Sequence, residues 1–139
     1  MTMTDFDKPF QWYQDLFARE LGLEIADPKS GLLIGDPSKL EGIANHYLHH
    51  PEYSRVGREM LLVPLLDCLY YRLKAGPLPQ KTHDLVRRAI GRAMSDLYDR
   101  DALRPLWETP DLPNDPNPVG TWMRAQFPDW IPPPSVWSE

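Results

Sequence analysis

The chain has 139 residues, a net charge of −5 and a single cysteine, Cys68. This length supports one hydrophobic core without disulfides or metals to hold it together, and one cysteine excludes an internal disulfide. The excess of acidic residues argues against nucleic-acid binding, because contact with phosphates requires a basic surface.

The first predicted helix is capped by Asp7 and ends near Gly22. No apolar signal segment precedes it, which predicts a cytoplasmic protein. After the helix, two short apolar stretches flank the turn-forming sequence Asp-Pro-Lys-Ser-Gly. We therefore expect a small β-hairpin near residues 23–34.

Asp36 and Pro37 open a second predicted helix that extends to about His49. His46 and His50 are one turn apart near its end, the spacing of a paired metal site. However, the glutamate that follows the first histidine in zinc proteases is missing, and histidines at a helix C-terminus also interact well with the helix dipole. We predict no metal and no cofactor, with His46 and His50 kept as an alternative ligand site.

The most apolar stretch, residues 60–71, belongs to a helix predicted to run from Ser54 to Ala75 at the centre of the fold. Its apolar residues cover three adjacent faces, which predicts burial on most sides. Pro64 lacks an amide hydrogen, so we expect a kink or a break there. The run is too short for a membrane span and is interrupted by Asp67, so we expect no membrane partner.

Asp67 lies on the helix face that also carries Val56, Met60, Val63 and Tyr70. An unpaired charge on a buried face is costly, so the carboxylate is expected to bond a tyrosine, a histidine or an arginine of a neighbouring helix. The alternative is a catalytic acid or base. Asp67 with His46 and His50 therefore defines a second hypothesis, a small helical enzyme or a protein that binds a metal or ligand.

A further amphipathic helix is predicted from Gln80 or Thr82 to about Asp99. Its outer face carries Arg87, Arg88 and Arg92. This face is the only support for a third hypothesis, a DNA-binding regulator, which would need a basic recognition helix. Solvated helices commonly carry such charges, and we favour that interpretation.

The composition becomes proline-rich at residue 109. We divide the chain into a helical domain, 1–108, and an extension, 109–139, which contains one short helix and packs on the same domain. The extension ends in a polyproline-like strap with Trp130 and Trp137. Disordered segments are poor in aromatic residues, so the strap is expected to dock on its own domain or, alternatively, to anchor a partner.

The predicted architecture is mainly α. It is a compact bundle of four to five helices around a central helix that is kinked at Pro64. The small β-hairpin and the C-terminal strap complete it. This assignment follows from the periodicity of the apolar residues and from the positions of proline and glycine.

No specific catalytic, nucleotide or metal motif occurs, so we predict a binding module and not an enzyme. Acidic residues concentrate in the two flanks. Residues 1–53 carry four basic and nine acidic side chains, residues 54–104 carry ten and six, and residues 105–139 carry one and five. Arginine outnumbers lysine ten to five, and arginine, tyrosine and tryptophan commonly anchor interfaces.

The chain is similar in general style to small acidic helical immunity proteins, including an Asp that is followed closely by Tyr70-Tyr71, although no family motif aligns. We therefore expect an inhibitor or immunity protein that neutralises a basic protein partner such as a bacterial toxin, since acidic surface with aromatic anchors favours fast capture. The predicted partner-binding residues are Glu20, Glu24, Asp27, Asp36, Glu41, Tyr47, Tyr53 and Trp137.

Overall fold

The structure is a computed structural model that describes residues 9–97, 114 and 116–129. Within these residues the fold is mainly helical with one small antiparallel hairpin, as predicted from the sequence. The elements in chain order are α1 Phe10–Leu21, β1 Glu24–Asp27, β2 Leu32–Ile34, a 3-10 turn Pro37–Lys39, α2 Leu40–His49, α3 Arg55–Ala75, α4 Gln80–Leu97 and α5 Pro118–Gln126.

Local residue chemistry sets the ends of these elements. Gly22 ends α1 in the left-handed conformation, with φ 66°, a conformation that glycine adopts without steric cost. Asp36 caps the 3-10 turn, and its Oδ1 accepts a hydrogen bond from the Ser38 amide at 2.9 Å. Asn117 caps α5 in the same way. The predicted cap at Asp7 lies outside the described residues.

Helix α3 is the central element, because it contacts the four other helices, the 3-10 turn and β2. Leu61, Leu65 and Leu69 are fully buried along it. The helix continues through Pro64 without the break that the sequence allowed. The prediction of burial on most sides is wrong for one face, where Val63 is 41% and Tyr71 51% exposed.

Helix α1 packs against the start of α3 through Tyr13, which is fully buried. The Tyr13 hydroxyl lies 3.0 Å from Ser54 Oγ and accepts a hydrogen bond from the Ser54 amide at 3.1 Å. Its ring lies directly over Gly57, the one position at which α3 has no side chain. The buried phenol is therefore satisfied at the helix start, as burial of a polar group requires.

Helix α5 belongs to the same core as the rest of the described chain. Val119 and Met123 are buried in it, and the helix contacts α3. Among the described residues, α5 thus packs on α3. Trp130 and Trp137 lie outside the described residues. No helix in the described ranges is both long and apolar enough to cross a membrane.

Candidate functional site

The β-hairpin carries two different faces. Its register pairs Glu24 with Ile34, Ile25 with Leu33 and Asp27 with Leu32, with an irregularity between residues 25 and 27. Leu33 points into the core and is 1% exposed. Successive residues of β2 alternate in direction, so Leu32 and Ile34 lie on the face opposite to Leu33, beside their partners Asp27 and Glu24. Strand β1 does not alternate in the same way, because Ile25 is 37% exposed although it pairs with Leu33, and Asp27 is half-buried.

The hairpin outer face, defined as Glu24, Asp27, Leu32 and Ile34, combines two acidic and two large apolar side chains. Leu32 is 40% and Ile34 39% exposed. Glu24 is exposed, whereas Asp27 is half-buried and accepts a hydrogen bond from the Lys29 amide in its own turn. The two predicted acids thus lie beside apolar groups that are free to contact a partner.

Two further predicted acids flank this hairpin in sequence. Glu20 is exposed near the end of α1 and lies 3.7 Å from Arg19 Nε. Asp36 is exposed directly after β2, and the hydrogen bond from the Ser38 amide holds the pKa of that carboxyl below its ordinary value. Both carboxylates therefore lie on the surface beside the hairpin.

Glu41, another predicted partner-binding acid, is engaged within its own chain. Its carboxylate accepts two hydrogen bonds from Arg72, at 3.0 and 3.1 Å, and one from Thr82 at 2.8 Å. The Arg72 guanidinium lowers the pKa of Glu41 to about 2. A carboxylate whose two oxygens already bind donors of its own chain has little capacity left for a partner.

The two tyrosines predicted to anchor a partner belong to the core. Tyr47 is 4% and Tyr53 6% exposed. The Tyr47 hydroxyl donates to Asp96 Oδ2 at 3.4 Å, and that oxygen also accepts from Arg58 at 2.7 Å. Both rings are therefore buried within the chain and present little surface to a partner. Trp137 lies outside the described residues.

The histidines of α2 form a compact aromatic cluster with Tyr53. The rings of His46 and His50 stack at 4.1 Å, and His46 Nε2 lies 2.8 Å from the Tyr53 hydroxyl. His50 Nδ1 bonds Glu52 Oε2 at 2.8 Å. Burial, and then the electrostatic interaction with His50, lower the pKa of His46 to about 4, so His46 is neutral at neutral pH.

This cluster does not have the geometry of a metal site. Metal ions require ring nitrogens whose lone pairs converge on one point about 2 Å away. The nitrogen lone pairs of two stacked rings lie in the planes of those rings, one above the other, and do not converge on one point. One nitrogen of His46 and one of His50 are engaged with Tyr53 and Glu52. Among the described residues no group of three or more histidine, cysteine or acidic side chains is arranged to hold an ion.

Asp67 lies in a different part of the molecule from the histidines. It lines a groove between α3 and the start of α5, together with Tyr70 and Val119. No described residue forms a hydrogen bond with Asp67. Its helix face is partly open to solvent, since Val56 is 43% and Val63 41% exposed. The contacts therefore do not combine Asp67 with His46 and His50 into one catalytic site.

Cys68 follows Asp67 but faces the core and is fully buried. Burial, and then the nearby Asp67 carboxylate, raise the pKa of the Cys68 thiol to about 11. Such a thiol is protonated at neutral pH and is a poor nucleophile. The structure agrees with the sequence interpretation of Cys68 as a small buried residue.

The arginine face of α4 is partly engaged within the chain. Arg87 lies 5.0 Å from the centre of the Phe127 ring and donates to the Gln126 carbonyl at 3.4 Å. Arg92 lies 3.8 Å from Asp96. These contacts give two of the three arginines a structural role.

Comparison of the chain with protein-family models, with curated proteins and with solved structures gives no match. Sequence reasoning missed the exposed apolar half of the hairpin outer face, Leu32 and Ile34. A signal was present, because three consecutive apolar residues in a strand, 32–34, must place at least one side chain on the outer face.

Proposed function

We propose that this protein is a binding module that captures a basic protein, as an inhibitor or immunity protein captures a bacterial toxin. The observation that carries the proposal is the hairpin outer face, where the exposed carboxylate of Glu24 is paired with Ile34, the half-buried Asp27 is paired with Leu32, and both apolar side chains are exposed. The net charge of −5 supports the same kind of partner.

The two chemistries on this face have different effects on binding. Burying the accessible parts of Leu32 and Ile34 contributes about 1 kcal/mol each, since full burial of such side chains is worth about 1.5–3 kcal/mol. The acidic groups Glu20, Glu24 and Asp36 attract a basic partner over longer distances and increase the association rate. A partner with lysines or arginines around an apolar centre therefore fits this face best.

The test is affinity capture from the source cell with the full chain as bait, at low and moderate salt. We expect one basic protein to be recovered in stoichiometric amount. Glu24→Lys should slow its association, most strongly at low salt, because it reverses a charge on the hairpin outer face. Ile34→Ser should accelerate dissociation, because it removes apolar contact.

Asp84→Lys is the matched control, since Asp84 is an exposed acid on α4. It should leave association close to that of the unmodified protein. Capture of no protein, or of a protein that binds the Glu24→Lys and Ile34→Ser variants as well as the original chain, would show that this face does not bind a basic partner.

A further inference from the structure

A groove of 460 Å³ lies between α3 and the segment that opens α5. Its apolar and aromatic lining among the described residues is Val63, Leu66, Tyr70, Tyr71, Pro116 and Val119. Asn117 also lines it, but the Asn117 side chain already caps α5 through the Gly120 amide at 3.1 Å. Asp67 is the ionisable acid of this lining.

Asp67 differs from the other half-buried carboxylates of the described chain. Glu41 binds Arg72, Glu59 lies 3.4 Å from Arg55, Asp96 lies 2.7 Å from Arg58, and Asp27 accepts from the Lys29 amide. No described residue forms a hydrogen bond or an ion pair with Asp67. A half-buried carboxylate beside apolar side chains is costly without a partner, so a cation at this position would be favourable.

The aromatic side chains beside Asp67 suit the same cation. Tyr70 and Tyr71 meet edge to face with ring centres 5.2 Å apart. The Lys74 ammonium lies 5.2 Å from the centre of the Tyr70 ring, so one ring of the groove already attracts a positive charge. Tyrosine faces attract cations through the negative charge of their π-system, and they attract arginine in particular.

We propose that the groove receives an arginine side chain of a protein partner. The guanidinium pairs with the Asp67 carboxylate, its plane lies against a tyrosine ring, and the aliphatic stem covers Val63 and Leu66. Arginine fits better than lysine, because a planar guanidinium binds a carboxylate through two parallel hydrogen bonds and stacks on aromatic rings. The proposal rests on the proposed function, since it assigns one contact of the same basic partner.

The test needs no knowledge of that partner. The full chain is titrated with the blocked dipeptide acetyl-leucyl-arginine amide, and binding is followed by NMR at the Val63 methyl groups and the Tyr70 and Tyr71 rings. The control peptide replaces arginine by citrulline, which has nearly the same shape and no charge. We expect the arginine peptide to shift these resonances and to bind about tenfold more tightly than the citrulline peptide, the factor expected for one charge-assisted contact.

Variants test which side chains of the groove bind the guanidinium. Asp67→Asn should reduce binding of the arginine peptide to the level of the citrulline peptide, whereas Asp15→Asn, at an exposed acid of α1, should leave it unchanged. Tyr71→Leu should weaken the arginine peptide more than the citrulline peptide, because it removes a cation-binding ring. Unchanged circular dichroism of each variant verifies that the fold is retained.

Equal binding of the two peptides would overturn the proposal, because it would identify an apolar occupant. Arginine-specific shifts at Glu24 and Ile34 with none at Val63 would also overturn it, since the hairpin would then be the arginine site. The peptide replaces the partner, so this result is independent of the capture experiment. A negative result here with successful capture rejects only the groove, and a positive result without capture rejects only the hairpin face.

Discussion

At the scale of single residues, the approach of α1 to α3 depends on Gly57. An added Cβ at this position would lie 2.5 Å from Cε1 of Tyr13, and two further ring atoms would be within 2.9 Å. Carbon atoms in contact prefer separations of about 3.5–4.0 Å. The Tyr13 ring is fully buried and its hydroxyl is tied to Ser54, so the ring cannot retreat without breaking that hydrogen bond.

We therefore expect Gly57→Ala to reduce the free energy of unfolding by about 2 kcal/mol, a typical cost of overpacking a core. Gly42→Ala is the control, because a Cβ at Gly42 in α2 meets no atom within 4 Å. That variant should increase stability by about 0.5–1 kcal/mol, the usual gain from glycine to alanine in a helix. Urea unfolding measures both. If Gly57→Ala and Gly42→Ala both stabilise the protein, then the contact with Tyr13 does not limit how closely α1 approaches α3.

The tyrosines show how far sequence reasoning extends at this scale. Phe10, Tyr13, Phe17 and Leu21 repeat at helical spacing, which predicts a buried stripe, and Tyr13 is fully buried. Tyr47 repeats in the same way with Leu40, Ile43 and Ala44, which predicts an inward face, yet it is also expected to anchor a partner together with Tyr53. Tyrosine is amphipathic, and its burial depends on a partner for the hydroxyl. For Tyr47 that partner is Asp96, which the sequence alone does not place nearby.

At the scale of elements, Glu41 connects three helices. It extends from α2 to Arg72 of α3 and to Thr82 of α4. The pKa of its carboxyl is lowered from 4.5 to about 2, first by the hydrogen bonds from Arg72. Because the folded state holds this carboxylate ionised at a lower pH than the unfolded chain does, the contact adds stability above pH 4.5, and that stability is lost as the pH falls towards 2.

Glu41→Gln should therefore lower the free energy of unfolding by about 1 kcal/mol at neutral pH, a modest effect because the pair is partly exposed. The difference from the original protein should shrink as the pH is lowered from 4.5 towards 2. Urea unfolding across this range is the measurement. Glu24→Gln, at an exposed glutamate, should show little difference at any pH. If Glu41→Gln lowers the free energy of unfolding by the same amount at all pH values, this result would contradict the assigned charge interaction.

The helices and the hairpin were predictable because proline, glycine and capping residues mark their ends. Gly22, Asp36 and Asn117 all stand where the structure has an end or a cap. What covers a helix face was not predictable. Val56, Val63 and Tyr71 are apolar or aromatic and extend the periodicity of α3, but periodicity does not reveal that no described element covers them completely.

At the scale of the whole molecule, both candidate surfaces depend on residues distant in sequence. The groove joins residues 63–71 of α3 with residues 116–119 before and within α5. Composition indicated an acidic protein with a basic partner, but it did not indicate where the partner would bind. Among the described residues, the packing of α5 on α3 forms the groove, and the hairpin register places Glu24 beside Ile34.

The position of α5 in the core also predicts how the molecule unfolds. Met123 is fully buried and shares one core with residues of α1 to α4. Met123→Ala should therefore reduce the free energy of unfolding by about 3 kcal/mol, within the usual cost of removing a buried large side chain. In native-state hydrogen exchange, the protection of the amides of α1 and α3 should fall by the same free energy, because one core unfolds as one unit. Ala125→Ser, at an exposed position of α5, should change neither measurement by more than about 0.5 kcal/mol.

If instead Met123→Ala releases only α5 and leaves exchange in α1 and α3 unaffected, then the boundary predicted at residue 109 separates two independent units. The groove that holds Asp67 would in that case open and close with α5.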